Sequence, residues 1–369
     1  MRLSTPSRDM RHLSVPRADT ATVFTAMREA GWLPPGARVR PHPDNEERRL
    51  IPIIAGAPAG DWPIIEAEEP LVPTQTYRDL LSDFLDPSIV EAKAELWPTR
   101  HEILGDLILI KVPTELVEYG AGMGQALLTQ HPRIRLVLHD DGVEGIYRVR
   151  RLIPLAERIG NTLQVEFDET PSTRTCTRES GHQIWTDPAR VYFSGRLSRE
   201  REETLVSCQL LREKLGRSLN ICDPYAGVGP ALLPLLTSID LVESAFGGDL
   251  NPAAVELMRE NLNRFDNVRL ECGDAQVLAE DPTLRHAFDA LLVNIPHSTV
   301  EHLPLLLPLL KKTSSTLLRG WLVLEEAEMD AVTSELRSML PPTCEFEISI
   351  RRSYSTHQKL CRFEAWMKP

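Results

Sequence analysis

From Ser198 to the end of the chain, the apolar residues change period repeatedly. Ser198 to Leu215 has helical spacing, with Ser198 placed to cap the helix. Leu219 and Ile221 then open a short apolar run that ends on Asp223. Tyr225-Ala226-Gly227-Val228-Gly229-Pro230 follows as a glycine turn, and Ala231 to Leu236 resumes the apolar character. Ala245-Phe246-Gly247-Gly248 closes on Asp249, Val268-Arg269-Leu270-Glu271-Cys272-Gly273 closes on Asp274, and Phe288 to Val293 closes on Asn294-Ile295-Pro296. Short apolar runs bounded by turn residues read as strands. Successive strand ends carrying polar groups predict an open parallel α/β sheet with a ligand crevice along one edge. The tail, Arg351 to Trp366, alternates as an antiparallel strand pair.

The first half is patterned differently. Leu13-Ser14-Val15 reads as a strand ending at Pro16, Thr20 to Ala30 as a helix stopping at Gly31, and Leu50 to Ile54 as a returning strand. Pro52 suits the edge of a sheet. Residues 55–75 are rich in Pro and Ala and read as a linker, followed by one or two exposed acidic helices from Tyr77 to Trp97. Leu107 to Val112 is a strongly apolar strand, Thr114 to Gln130 a helix, and Arg133 to His139 and Tyr147 to Leu152 further strands. Cys176 to Trp185 resembles a hairpin. The expected division is 1–55, 56–97 (linker and acidic helices), 98–165 (a middle α+β domain) and 166–369 (the large sheet).

Composition narrows the possibilities. The chain has 369 residues, 42% of them hydrophobic, which allows several cores. No apolar run reaches the length of a membrane span, and Met1-Arg2-Leu3-Ser4-Thr5-Pro6 lacks the apolar core of a signal peptide. Six scattered cysteines with no C-x-x-C spacing argue against zinc and disulfides and for a reducing cytoplasm. No metal is expected, and a monomer is. The net charge of −12 alone would disfavour a nucleic-acid partner. Its distribution softens that objection, because residues 1–40 hold seven Arg against three acids and residues 171–202 six against four.

A dinucleotide site would want G-x-G-x-x-G, and here the third glycine position is Leu232. That weakens a nicotinamide oxidoreductase reading. The order of Asp223, Tyr225, Gly227, Gly229, Asp249, Asp274 and Asn294 instead resembles class I S-adenosylmethionine-dependent methyltransferases. The resemblance implies a Rossmann-like sheet with an antiparallel C-terminal strand pair, preceded by smaller N-terminal α+β domains. It also implies that S-adenosyl-L-methionine is the cofactor. Asp249 would take the ribose hydroxyls, Asp274 the adenine amine, and the glycine turn would pass the methionine moiety. A carboxylate can accept two hydroxyl donors, so the chemistry fits.

Several stretches make the resemblance more specific. His101-Glu102-Ile103-Leu104-Gly105-Asp106, Tyr147-Arg148-Val149-Arg150, Asp187 to Arg201 and Asn294-Ile295-Pro296-His297-Ser298 together resemble the archaeal and eukaryotic tRNA N1-methyltransferase family acting on guanosine 37. Residues 11–54 are similar to the small tRNA-docking domain of archaeal members. The resemblance implies tRNA as partner and Glu200 as the base that takes the guanine N1 proton. It implies Arg148, with Arg150 second, as the donor that steadies O6. Asn294 and Pro296 would hold the flipped base, with Tyr192 stacking on it and Arg196 among the substrate contacts. Related wybutosine-synthesising transferases use the same cofactor for aminocarboxypropyl transfer or methylate a tricyclic guanosine derivative, and they tend to lose the intact N-x-P element. A non-catalytic tRNA-binding protein is a further alternative.

Taken singly, each residue also has a plainer reading. Glu200 among Arg199, Arg201, Glu202 and Glu203 could be a solvated helix start, in which case the base would be Asp289 or Glu179. Arg148 could touch phosphate, Tyr192 could be core, and His297 could be structural.

Overall fold

The computed structural model describes residues 7–34, 37–70, 75–355 and 357–369, so the opening hexapeptide lies outside the described residues. Contacts divide the chain into two compact units, Met1–Asp79 and Leu80–Pro369.

The first unit is a four-stranded sheet with one helix: β1 (Ser7–Pro16), α1 (Thr20–Glu29), β2 (Arg40–His42), β3 (Asn45–Pro52) and β4 (Ile64–Pro70), in the order β2-β3-β1-β4. Leu13 and Val15 of β1, Ile51 and Ile53 make its core, and Val23, Phe24 and Met27 of α1 pack against it. Two expectations change here. The stretch expected to be a linker contains β4, which pairs antiparallel with β1 along its length, so the sheet extends past residue 55. Adjacent Ile64 and Ile65, followed by Glu66, Ala67, Glu68, Glu69 and Pro70, break the period-two alternation of a strand and hid it. Residues 71–74 of the expected linker lie outside the described residues. Strand β3 is interior, and Pro52 is tolerated because it is the last residue of β3, beyond the reach of β2.

The second unit begins with α2 (Pro87–Ala92), where Asp86 caps by accepting the Ser88 amide at 2.8 Å. Leu81 and Trp97 are buried, so this region is less exposed than its acidity suggests. Next come β5 (Glu102–Leu104), β6 (Leu107–Ile110), α3 (Gly120–Gln130), β7 (Leu136–Glu144), β8 (Val149–Ile159) and β9 (Thr162–Gln164), which form a five-stranded sheet in sequence order. The hairpin β10 (Thr175–Glu179) and β11 (His182–Thr186) leads into α4 (Ser198–Leu215). Ser198 is the first helical residue and Leu197 the cap, without a side-chain bond, so the expected Ser198 cap does not form.

The large sheet contains β12 (Leu219–Asp223), β13 (Val242–Asp249), β14 (Val268–Cys272), β15 (Ala290–Val293), β16 (Thr316–Glu325), β17 (Glu345–Ser353) and β18 (Gln358–Met367). Helices α5 (Leu232–Thr237), α6 (Pro252–Asn261), α7 (Thr299–Leu306) and α8 (Met329–Met339) connect them. Strand order is β14-β13-β12-β15-β16-β18-β17, parallel through β16 and antiparallel thereafter. This is the expected class I methyltransferase architecture with its antiparallel final pair. Two apolar layers cover the sheet. Ala290 and Leu292 face the α4–α6 side, whereas Leu291 and Val293 face the α7–α8 side. A strand buried on both faces reads as a continuous apolar run, which is why β15 was legible. Strand order reverses between β12 and β15, so the crevice opens there.

Candidate active site

Side chains at the C-terminal ends of β12 and β15 converge on one cavity, lined by Asp223, Tyr225, Ala226, Asn294, Leu197 and Trp321. Between β12 and α5 the chain turns at Gly227 and Gly229, with φ of 57° and 82°. A Cβ on Gly229 would come within 3.1 Å of Met258 and 3.2 Å of Leu262, so both the backbone conformation and the close packing demand glycine.

The two carboxylates beside this turn differ in their partners. Asp249 accepts the Gly227 amide at 2.9 Å on Oδ2 and the Asn251 amide at 2.9 Å on Oδ1. Burial nevertheless pushes its carboxyl up, against those two bonds. Asp223 is 2% exposed, and the bond it accepts from the Tyr225 amide is 3.3 Å long. Burial, reinforced by the charge of Asp249, pushes Asp223 up to about 7. A desolvated carboxylate facing a cavity is suited to a ligand ammonium, and Asp249 keeps free lone pairs for hydroxyl donors. The donor set therefore fits an amino-acid-bearing nucleoside such as S-adenosylmethionine. Asp274 is exposed at the next strand end and caps a short helical turn through the Gln276 amide at 2.9 Å. Burial raises the Tyr225 phenol, whose oxygen shares a 2.7 Å bond with Nδ1 of His302.

Glu200 is 7% exposed, so it is not a solvated helix charge. Its Oε1 accepts Nε–H of Arg351 at 2.6 Å and its Oε2 accepts the Trp321 indole N–H at 3.2 Å. Arg319 and Arg362 each approach it at 3.8 Å. Around it, Arg319, Arg351 and Arg362 interleave with Glu200, Glu203 and Glu364, and Ser207 bridges Arg319 and Glu364. Burial, together with Arg362, lowers the Arg319 guanidinium to about 10. The flanking residues Arg199 and Arg201 pair elsewhere, with Glu203 at 3.2 Å and with Glu179 at 2.5 Å. Neighbours in sequence on a helix point apart, and the cations around Glu200 come instead from β16, β17 and β18.

Arg196 lines a second cavity together with Glu200 and Arg351. Arg148 stands in the turn before β8 and donates from Nη2 to the Tyr354 hydroxyl at 3.3 Å. That hydroxyl lies 3.2 Å from Nε2 of His297, in the loop that carries Asn294 and Pro296. The Pro296 carbonyl accepts the Val323 amide at 2.9 Å, which ties this loop to β16. Tyr192 is 47% exposed, which removes the core reading, and its carbonyl lies 3.8 Å from where a Gly227 Cβ would stand. Arg150 does not join this group: Glu102 at 3.1 Å and Asp140 at 3.4 Å hold it within the five-stranded sheet. Asp289 sits before β15, at the opposite edge, gripped by Arg217 at 2.7 Å and Lys311 at 2.9 Å. It therefore lies roughly 16 Å of strand away from Asn294. Sequence reasoning missed Trp321, Arg351, Tyr354 and His302, whose partners are remote in sequence.

Comparison with known proteins agrees with this architecture. Residues 175–318 match the TRM5/TYW2 methyltransferase domain, and residues 81–161 match the TYW2 N-terminal domain. Residues 175–318 therefore carry a TRM5/TYW2 methyltransferase domain. The chain is 29% identical over 261 residues to the tRNA (guanine(37)-N(1))-methyltransferase Trm5b of Pyrococcus abyssi, covering 69% of this chain and 68% of that one. It is 33% identical over 218 residues to the tRNA (guanine(37)-N(1))-methyltransferase 2 of Phaeodactylum tricornutum, covering 57% of this chain but only 34% of that protein. The crystal structure of Pyrococcus abyssi Trm5b superposes with a TM-score of 0.60 at 22% identity, over 96% of this chain and 98% of that one, which supports the fold.

Proposed function

We propose that this protein transfers the methyl group of S-adenosylmethionine to N1 of guanosine 37 in tRNA. The observation that carries the reading is the pair of desolvated carboxylates, Asp223 and Asp249, flanking the glycine turn at the sheet's switch point. The names of the curated relatives support it. The cofactor supplies an electrophilic methyl on a sulfonium. Asp249 takes the ribose hydroxyls, Asp223 the ammonium, and Tyr225 and Asp274 flank the adenine. Guanine N1 bears a proton at neutral pH and is a poor nucleophile until that proton leaves. Glu200 accepts it, since each of its oxygens keeps a lone pair beside its present bond. Arg148 donates to O6, and Asn294, Pro296 and Tyr192 hold the flipped base, offsetting the few kcal/mol that extrusion costs. Arg196 contacts the substrate beside Glu200.

Residues 1–79, rather than 1–55, are the segment we assign to tRNA docking. We place the protein in the cytoplasm, in keeping with its scattered cysteines, and take it to act as a monomer. No helix among the described residues is long and apolar enough to cross a membrane.

A second reading is aminocarboxypropyl transfer to the same tRNA position, favoured by the match of residues 81–161 to the TYW2 N-terminal domain. The intact Asn294-Ile295-Pro296 weighs against it. Cofactor labelled separately on the methyl and on the aminocarboxypropyl group, incubated with unmodified tRNA transcript, separates the two. Methyl label in 1-methylguanosine supports the first reading, and retention of the other label overturns it.

A further inference from the structure

The end of β17 touches both sides of the proposed reaction centre. Arg351 reaches Glu200 from an unusual backbone position. Ile350 pairs with Cys361 and Arg352 with Leu360, so Arg351 is the extra residue of a β-bulge. Bulges re-aim a side chain and bend the strand that carries them. Three residues further on, the Tyr354 hydroxyl bridges Arg148 at 3.3 Å and His297 at 3.2 Å. Its backbone is held by a 2.8 Å bond from the Tyr354 amide to the Gln358 carbonyl, and its ring meets the His297 ring edge-on at 5.5 Å. Arg148 has a φ of 51°, a conformation side chains rarely adopt, and its guanidinium is positioned from outside its own turn.

The direction of the bridge follows from its chemistry. A guanidinium only donates, so the Tyr354 oxygen accepts from Arg148, and with His297 neutral and protonated on Nδ1 the hydroxyl proton goes to Nε2. We propose that Tyr354 is a positioning residue that holds Arg148 against the Asn294–His297 loop. Because Tyr354 directly follows the strand that carries the Arg351 bulge, it fixes the spacing between the O6 donor and the base. The inference rests on the methyltransferase reading, which assigns Arg148 and Glu200 their roles.

The test is a double-mutant cycle with unmodified tRNA transcript. Tyr354→Phe removes only the hydroxyl. It is expected to lower kcat about tenfold, the scale of one lost transition-state hydrogen bond, with the KM for tRNA unchanged. The same substitution in an Arg148→Ala background is expected to have no further effect, because the residue it positions is gone. A kcat loss of equal size in both backgrounds, or no loss in either, overturns the proposal. A second readout does not depend on turnover. The ¹⁵N resonance of His297 Nε2 is expected to shift in Tyr354→Phe, and an unmoved resonance also overturns the bridge. If the unsubstituted protein leaves guanosine 37 unmethylated while that resonance still shifts, the methyltransferase reading has failed, not the contact.

Discussion

The two halves of the site are built by opposite means. On the cofactor side, Asp223 and Asp249 accept amides two residues along the chain, from Tyr225 and Asn251, and the glycine turn fixes the rest. Polar groups there are held by backbone, desolvated, and left with capacity for a ligand. On the base side, Glu200 meets Arg351 across 151 positions and Arg148 meets Tyr354 across 206. Polar groups there are held by one another, in a cluster whose charges already balance. A site assembled from strand ends can be found one strand at a time, whereas a site assembled from ion pairs exists only in the folded chain.

The sharpest break of this contrast is Glu200→Gln. Single-turnover methylation is expected to fall by roughly 10²–10⁴-fold, the usual range for a lost general base. Cofactor affinity should stay unchanged, and higher pH should partly restore the rate as solvent takes the N1 proton. A normal rate at neutral pH would reduce Glu200 to a structural partner of Arg351.

Asp249→Ala probes the other half. Losing an acceptor of charged hydrogen bonds should weaken cofactor binding by roughly 1.5–3 kcal/mol. Titration calorimetry showing equal affinity in the variant would remove Asp249 from the ribose site.

A smaller effect should come from pH. Asp223 is raised from 3.8 to about 7, so it is largely protonated at pH 6 and ionised at pH 8. A ligand ammonium needs the carboxylate, so cofactor affinity should fall about tenfold from pH 8 to pH 6, in step with the ionised fraction. The Asp223→Asn variant should show a flat profile. The linkage to stability has the opposite sense: without ligand, the raised group favours the folded state at low pH, and that contribution is lost as pH rises through about 7. The smallest effect is expected for Ser198→Ala, which removes no cap bond and should change thermal stability by less than about 0.5 kcal/mol.

What could be read before folding follows the same division. Strands β12, β13 and β15 were visible as buried apolar runs, β14 and the tail pair by alternation, and the polar ends by the turns beside them, all of which are local signals. Glu200, Arg148 and the Asn294–Pro296 loop were found by resemblance, not by periodicity. Trp321, Arg351 and Tyr354 were not found at all, because nothing near Trp321 marks it as facing a carboxylate and nothing near Arg351 marks a bulge. Strand β4 was hidden in a Pro-rich, acidic stretch, and Arg150 stood second to Arg148 as O6 donor because nothing local marks the two carboxylates that hold it.

The ion cluster beneath the start of α4 carries a consequence for ionic strength. Arg319 is 1% exposed and Glu200 7%, so dissolved salt reaches their attractions poorly. Contacts to a phosphate backbone are the opposite case, since their strength falls steeply as counterions compete. Concentrated salt should therefore release the RNA long before it loosens the base. In brine the protein would keep a competent catalytic end and fail only by letting go of its substrate.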